Sequence, residues 1–157
     1  MLNGVKEYCL KKNNDDRGYF IEMMRADWRS LLDDDIIQQA NFAMSHYGVI
    51  RAWHRHLRGQ VDYITVLKGA IKLCVYDDIP ESATHGQIDE LIVRAEDYKI
   101  IRVPGQYWHG YKCIDNAGSQ VLYFANKLYD YQSPDEARRP WDDTTVLDPK
   151  TNKPYIW

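Results

Sequence analysis

The most constraining feature is a run of short apolar segments broken by turns between residues 61 and 105. "VDYITVLKGAIKLCVYD" reads as two strands joined at Lys68-Gly69. "DELIVRAEDYKIIRVPG" reads as a strand, a turn at Glu96-Asp97 and a second strand. Further strands are expected in "RGYFIEMMR" (17–25), after a turn at "NNDDRG", and in "IIQQANFAMS" (36–45), "GVIRAWHRH" (48–56) and "GSQVLYFANKLYDY" (118–131). Only "DWRSLLDDDI" (27–36) suggests a helix, with Asp27 as its cap and Leu31 and Leu32 facing inward. Many short strands with one or two short helices predict an all-β sandwich or barrel. The 157 residues carry no internal repeat, low-complexity segment or linker, so a single domain over 1–157 is expected. The tail from Ser133, rich in Pro and Asp and ending in "YIW", is expected to wrap the surface with its aromatics docked.

Composition narrows the function classes. A net charge of -3 gives no global case for nucleic acid or an anionic membrane. No run reaches the roughly 20 apolar residues of a membrane span. The first residues lack the apolar core of a signal peptide. Cys9, Cys74 and Cys113 are odd in number and share no metal spacing. A cytoplasmic protein is expected. Twelve tyrosines and five tryptophans suit a β core, and also pockets for rings and sugars.

The chemistry concentrates in "VIRAWHRHLRGQVDY" (49–63). On a strand, residues i and i+2 share a face, so His54 and His56 point one way and Trp53 and Arg55 the other. Two histidines on one inner face of a barrel begin a metal site. Gly48, five residues and then His54-x-His56 resemble the first cupin motif, with Gln60 or the displaced Asp62 in place of its acid. "VPGQYWHG" (103–110) resembles the second motif and offers His109. A metal-binding reading would therefore take His54, His56, Asp62 (or Gln60) and His109 as ligands. Hydrogen-bonded histidines in a polar cavity would explain the same residues.

A second resemblance covers nearly the whole chain. "DDRGYFIE", "QANFAMS", "GVIRAWH", "ESATHG", "VPGQYWHGY" and "VLYFANKLYDYQSPDEARRPWDD" follow one another as similar segments do in the dTDP-4-dehydrorhamnose 3,5-epimerase family. This is the RmlC-like branch of the cupins, and the chain most resembles its short members in spore-coat sugar synthesis. The resemblance implies a cupin-type jelly-roll β-barrel, a homodimer, and a nucleotide-linked 4-keto sugar, most simply of the dTDP type, as substrate. It implies epimerisation at C3, C5 or both, with no cofactor and no metal.

Residue by residue, the resemblance makes His54 the base, Tyr123 the acid on the opposite face, and His109 the holder of the keto or enolate oxygen. It makes Arg17 and Arg51 contacts of the diphosphate, with Arg17 serving a neighbouring subunit. Glu22, Gln39 and Asn41 would surround the nucleotide and its sugar, and Tyr129 would line the pocket. In a regular strand Arg51 and His54 face opposite ways. The family's glycine at the position of Ala52 suggests a bulge there. Three departures stand out. Asp62 lies near the place of a family lysine thought to stabilise the enolate. The aspartate that pairs with the catalytic histidine in longer members has no evident counterpart, leaving Asp142, Asp143 and Asp62 as substitutes. His56 stands where the family often has glutamine. A metal-dependent isomerase or dioxygenase, and a non-catalytic sugar-nucleotide-binding cupin, are the competing readings.

Overall fold

A computed structural model describes residues 1–157. Its strands are β1 (Lys6–Cys9), β2 (Lys12–Asp15), β3 (Gly18–Ile21), β4 (Gln39–Ser45), β5 (Ile50–Arg55), β6 (Val61–Lys68), β7 (Ala70–Tyr76), β8 (Ile88–Arg94), β9 (Lys99–Pro104), β10 (Trp108–Cys113), β11 (Ser119–Ala125) and β12 (Ala137–Arg138). Two five-stranded antiparallel sheets run in the orders β1-β9-β6-β11-β4 and β12-β5-β10-β7-β8. They face each other as a jelly roll, while β2 and β3 form a separate hairpin.

The β6–β7 junction forms where expected, because Gly69 takes a positive φ of 75° and leaves no room for a side chain. The turn at Glu96-Asp97 is a 3₁₀ turn over Ala95–Asp97 between β8 and β9. Alternation along the strands sends one row of side chains between the sheets. Ile64, Val66, Ile71, Leu73, Val75, Val93, Ile101, Val103 and Val121 form an apolar core there. Each such buried side chain contributes on the order of 2 kcal/mol. β6 is buried on both faces, since Leu31, Leu32 and Leu10 cover its outer residues Val61 and Tyr63.

The helix is shorter than the sequence suggests. It spans only Arg29–Leu32, and Trp28, not Asp27, sits at its N-cap position without a side-chain cap. Asp27 is engaged instead by Arg25, at 2.8 and 2.7 Å. Asp33 ends the helix at φ 54°, and the acidic run after it has poor helix propensity. Leu31 and Leu32 are buried as expected. The predicted 17–25 strand is also cut to Gly18–Ile21, and half of the expected "NNDDRG" turn is strand β2. The strands expected over 36–45 and 118–131 are trimmed to Gln39–Ser45 and Ser119–Ala125.

The tail does wrap the surface. Val146, Tyr155 and Trp157 bury themselves against Trp53, Tyr76 and Trp108 on the outer face of the second sheet. Trp157 meets Trp53 with ring centroids 4.5 Å apart. The tail also adds β12 to the edge of β5, with Arg138 opposite His54. No helix is long and apolar enough to cross a membrane.

Candidate functional site

Between the sheets, beside the apolar core, lies a cavity of about 590 Å³. Ile64, Leu73 and Val121 of the core also line it, and polar residues from β4, β5, β6, β10 and β11 point into it. Strand alternation explains most of the lining. Gln39, Asn41 and Ala43 come from β4, while Val121, Tyr123 and Ala125 come from β11, and the period continues to Lys127 and Tyr129.

β5 breaks that period. His54 pairs with His109 and Arg51 pairs with Tyr111, so Ala52 and Trp53 together oppose the single residue Gly110. This is a β-bulge, and the extra residue brings Arg51 and His54 to the same cavity. Gly110 makes room for it. A Cβ there would lie 2.3 Å from the Cβ of Ala52.

Four groups gather at the inner end. The ligand-type atoms of His54, His56, Asp62 and His109 all lie within 4.8 Å of one another. Asp62 is 3% exposed and His109 0%. Asp62 Oδ2 accepts from His109 Nε2 at 3.2 Å and faces His56 Nε2 at 3.4 Å. Gln60 Nε2 donates to Asp62 Oδ1 at 2.9 Å. His109 Nδ1 donates to the Tyr107 carbonyl at 2.9 Å, and His56 Nδ1 to the Asp135 carbonyl. His54 stands outside this hydrogen-bond chain, its ring edge-on to that of His109 with centroids 4.2 Å apart.

The electrostatics follow from that arrangement. Burial acts on His54 first, and the charge of His109 adds to it, so His54 is held well below 6.5 despite Asp62 nearby. It is therefore neutral at pH 7. Burial pulls His56 the same way, but the hydrogen bond and charge of Asp62 outweigh it and His56 is raised. Burial alone would raise Asp62, yet the hydrogen bonds from His109 and His56 hold it far below the usual carboxylate range. Tyr123 is raised by burial and by the negative charge of Asp62, so its hydroxyl keeps its proton.

Seven of the nine sequence-predicted residues line this one cavity: His54, His109, Tyr123, Arg51, Gln39, Asn41 and Tyr129. Gln39 links three of them. Its Nε2 donates to Asn41 Oδ1 at 2.8 Å, and its Oε1 accepts from the Tyr129 backbone N–H at 2.8 Å. Arg51 Nε donates to Ser45 Oγ at 2.9 Å. Arg17 and Glu22 lie elsewhere. Arg17 sits in the β2–β3 turn, paired with Asp15 at 2.6 Å, and Glu22 follows β3, paired with Arg25 at 2.7 Å. Among the candidate aspartates, Asp62 contacts His56 and His109 and not His54. Asp143 is bonded to Thr145 and paired with Arg139 at 3.7 Å. Gln60, which the sequence offered beside Asp62, lines the cavity too; Lys127, Tyr131, Glu136 and Arg138 also line it, and sequence reasoning did not assign them this place. The two-residue period from Tyr123 carried the signal for Lys127, and nothing comparable marked β12.

A jelly roll with a histidine-lined polar cavity between its sheets defines a cupin-type protein. A sequence model of the dTDP-4-dehydrorhamnose 3,5-epimerase family matches residues 1–147. The chain belongs to that family. It is 38% identical over 141 residues to a probable low-salt glycan biosynthesis epimerase of Haloferax volcanii, covering 90% of this chain and 89% of the relative. It is 34% identical over 146 residues to a spore coat polysaccharide biosynthesis protein of Bacillus subtilis, covering 93% and 94%. Its fold matches a dTDP-6-deoxy-D-glucose-3,5-epimerase of Legionella pneumophila, solved with dTDP-4-keto-L-rhamnose, with a TM-score of 0.81. That match has 26% identity and covers 92% of this chain and 77% of the other.

Proposed function

We propose that this protein epimerises a nucleotide-activated 4-keto-6-deoxy sugar at C3, C5 or both, in the synthesis of a surface polysaccharide or glycan. One observation carries the reading. Residues drawn from four separated sequence segments, which family resemblance made a base, an acid, an oxygen holder and substrate contacts, line a single cavity.

A proton next to a ketone is weakly acidic, so its removal needs a positioned base and a stabilised enolate oxygen. His54 is the base, since its ring is free of the hydrogen-bond chain that occupies its neighbours. Tyr123 returns a proton from the other side of the sugar ring. His109 faces the keto oxygen. Arg51, with Gln39, Asn41 and Tyr129, receives the diphosphate and nucleotide; a dTDP sugar is the ligand that the Legionella relative's complex suggests. The protein works as a single cytoplasmic domain and as a homodimer. In the dimer the exposed β2–β3 hairpin, with Tyr19 58% and Phe20 65% exposed, carries Arg17 to the neighbour's cavity.

The test is incubation with dTDP-4-keto-6-deoxyglucose in deuterated water, followed by NMR. Deuterium entering at C3, C5 or both is the expected result. Absence of exchange at both carbons, in protein that binds the nucleotide sugar, overturns the reading. Tyr123→Phe should keep the first exchange and lower inverted product by about 100-fold, the scale of one acid–base group.

A further inference from the structure

The cavity carries more positive charge than its own acids engage. Arg51, Lys127, Arg138 and Arg139 line it, with Asp62 and Glu136 as the carboxylates. The arginines are committed. Arg138 pairs with Glu136 at 2.8 Å and Arg139 with Asp78 at 2.9 Å. Arg51 donates to Ser45 Oγ and to the Met44 carbonyl at 2.9 and 3.3 Å. Asp62 is occupied by His56, His109 and Gln60. Lys127 is left without an ion pair or a hydrogen bond, exposed at the cavity wall.

Its place after β11 gives that charge a direction. The inward row of β11 is Val121, Tyr123 and Ala125, and it continues to Lys127. Ala125 lies directly between Gln39 of β4 and Asp62 of β6. The pairing with β6 runs one residue further, since the Asn126 N–H donates to the Val61 carbonyl at 3.4 Å. Neighbours on one face of a strand stand about 6.8 Å apart, two residues at about 3.4 Å each. A lysine's flexible four-carbon stem covers about that distance. Ala125 has the smallest side chain in the row, so it leaves a notch between Gln39 and Asp62 that such a stem can cross.

We propose that Lys127 is a catalytic residue: laid back across Ala125, its ammonium donates to the keto oxygen of the sugar as that oxygen gains charge. The role rests on the epimerase reading. When His54 takes the proton beside the ketone, the C–H electron pair becomes a C–C π bond. The carbonyl π pair then moves onto the oxygen. That oxygen faces His109, whose Nε2 is shared with Asp62, so the new charge forms close to a carboxylate only 3% exposed. Two negative charges so placed repel. The ammonium of Lys127 offsets that repulsion without first breaking an ion pair, as Arg138 and Arg139 would have to do. Lys127 keeps its proton throughout. Tyr123 supplies the proton that returns to the carbon, and the C–O π bond re-forms. A donor aimed where charge develops acts on the transition state and little on the bound ground state.

Deuterium exchange into dTDP-4-keto-6-deoxyglucose by Lys127→Met and Lys127→Arg, with calorimetric binding of dTDP alone, tests this. Lys127→Met should lower kcat by about 100-fold, the scale of one lost oxyanion donor. Its KM should stay within about threefold of the wild type, the mark of an interaction made only in the transition state. Lys127→Arg should keep more activity than Lys127→Met, because it keeps the charge. Both variants should melt with the wild type, since Lys127 holds no partner. Exchange by Lys127→Met within about threefold of the wild type overturns the role. So does a loss confined to KM with weaker binding of dTDP, which would put the lysine on the diphosphate. Equal activity of the two variants overturns the part played by charge. The two readings fail separately. Wild-type protein that shows no exchange removes the epimerase and this role with it. Wild-type exchange that survives in Lys127→Met removes this role alone.

Discussion

β5 and β10 each carry two unlike faces. Inward they present His54 and His109 to a polar cavity. Outward they present Trp53 and Trp108, which the tail covers with Val146, Tyr155 and Trp157. Both faces are made of large ring side chains, and both are largely closed to water. They differ in what satisfies them. Inside, His109 depends on hydrogen bonds to Asp62 and Tyr107, and its neighbour His56 on one to Asp135, while His54 stays outside that chain. The outer rings depend more on contact area, and their polar tips are anchored one by one: Asp78 accepts from Trp108 Nε1, Arg55 and Arg139 at 2.6, 2.7 and 2.9 Å, Trp157 Nε1 donates to the Trp141 carbonyl at 3.0 Å, and the Tyr155 hydroxyl donates to Glu90. One face is organised for charge and the other for cohesion, so damage to each should read out differently.

The largest expected effect is chemical. His54→Ala should lower deuterium exchange into a 4-keto sugar nucleotide by about 1,000-fold, within the range for a lost general base. Its melting temperature should stay close to that of the wild type, because His54 is outside the hydrogen-bond chain. A fall of more than a few degrees would blur the contrast between the faces. Next comes the outer face. Trp157→Ala should cost about 3 kcal/mol, the lower end for a buried large aromatic, seen as a lower midpoint in urea unfolding. Exchange activity per folded molecule should persist; its loss would mean that the docked C-terminal rings, and not only β12, support the chemistry.

Gly110→Ala joins the two faces. Its new Cβ meets Ala52 at 2.3 Å, so it should cost about 1–3 kcal/mol by overpacking and should also lower activity by shifting Arg51 against His54. Normal activity in a destabilised variant would show that the bulge does not set the site. The smallest effect is expected at Ile156, between two docked aromatics yet 84% exposed. Ile156→Ala should change stability by less than about 0.5 kcal/mol. A larger loss would show that the tail as a whole, and not its two buried rings, closes the outer face.

The pattern of hydrophobic runs and turns made the sheets legible, since Gly69 and the Glu96-Asp97 turn mark their own junctions. The alternation of His54 with Trp53 was legible for the same reason: a strand has only two faces. The short strand β12 was not, because two residues carry no periodicity, and its position depends on pairing with Arg55 and His54. β10 was hidden inside a motif read for its histidine. The role of Asp62 as a shared partner of two histidines could not be read either. It depends on β6 crossing from the other sheet, a contact that spans 47 residues between Asp62 and His109. The helix was overestimated because the apolar pair Leu31-Leu32 outweighed the poor propensity of the aspartates after it.

The close approach of Ala52 to Gly110 has a practical consequence for engineering. A library meant to admit new sugars can vary Gln39, Asn41 and Tyr129, which line the cavity. Positions 52 and 110 would have to be diversified as a linked pair or not at all. Any side chain added at one has to be subtracted from the other, so single-site screens there would return mostly inactive clones and give no information about which sugar the cavity prefers.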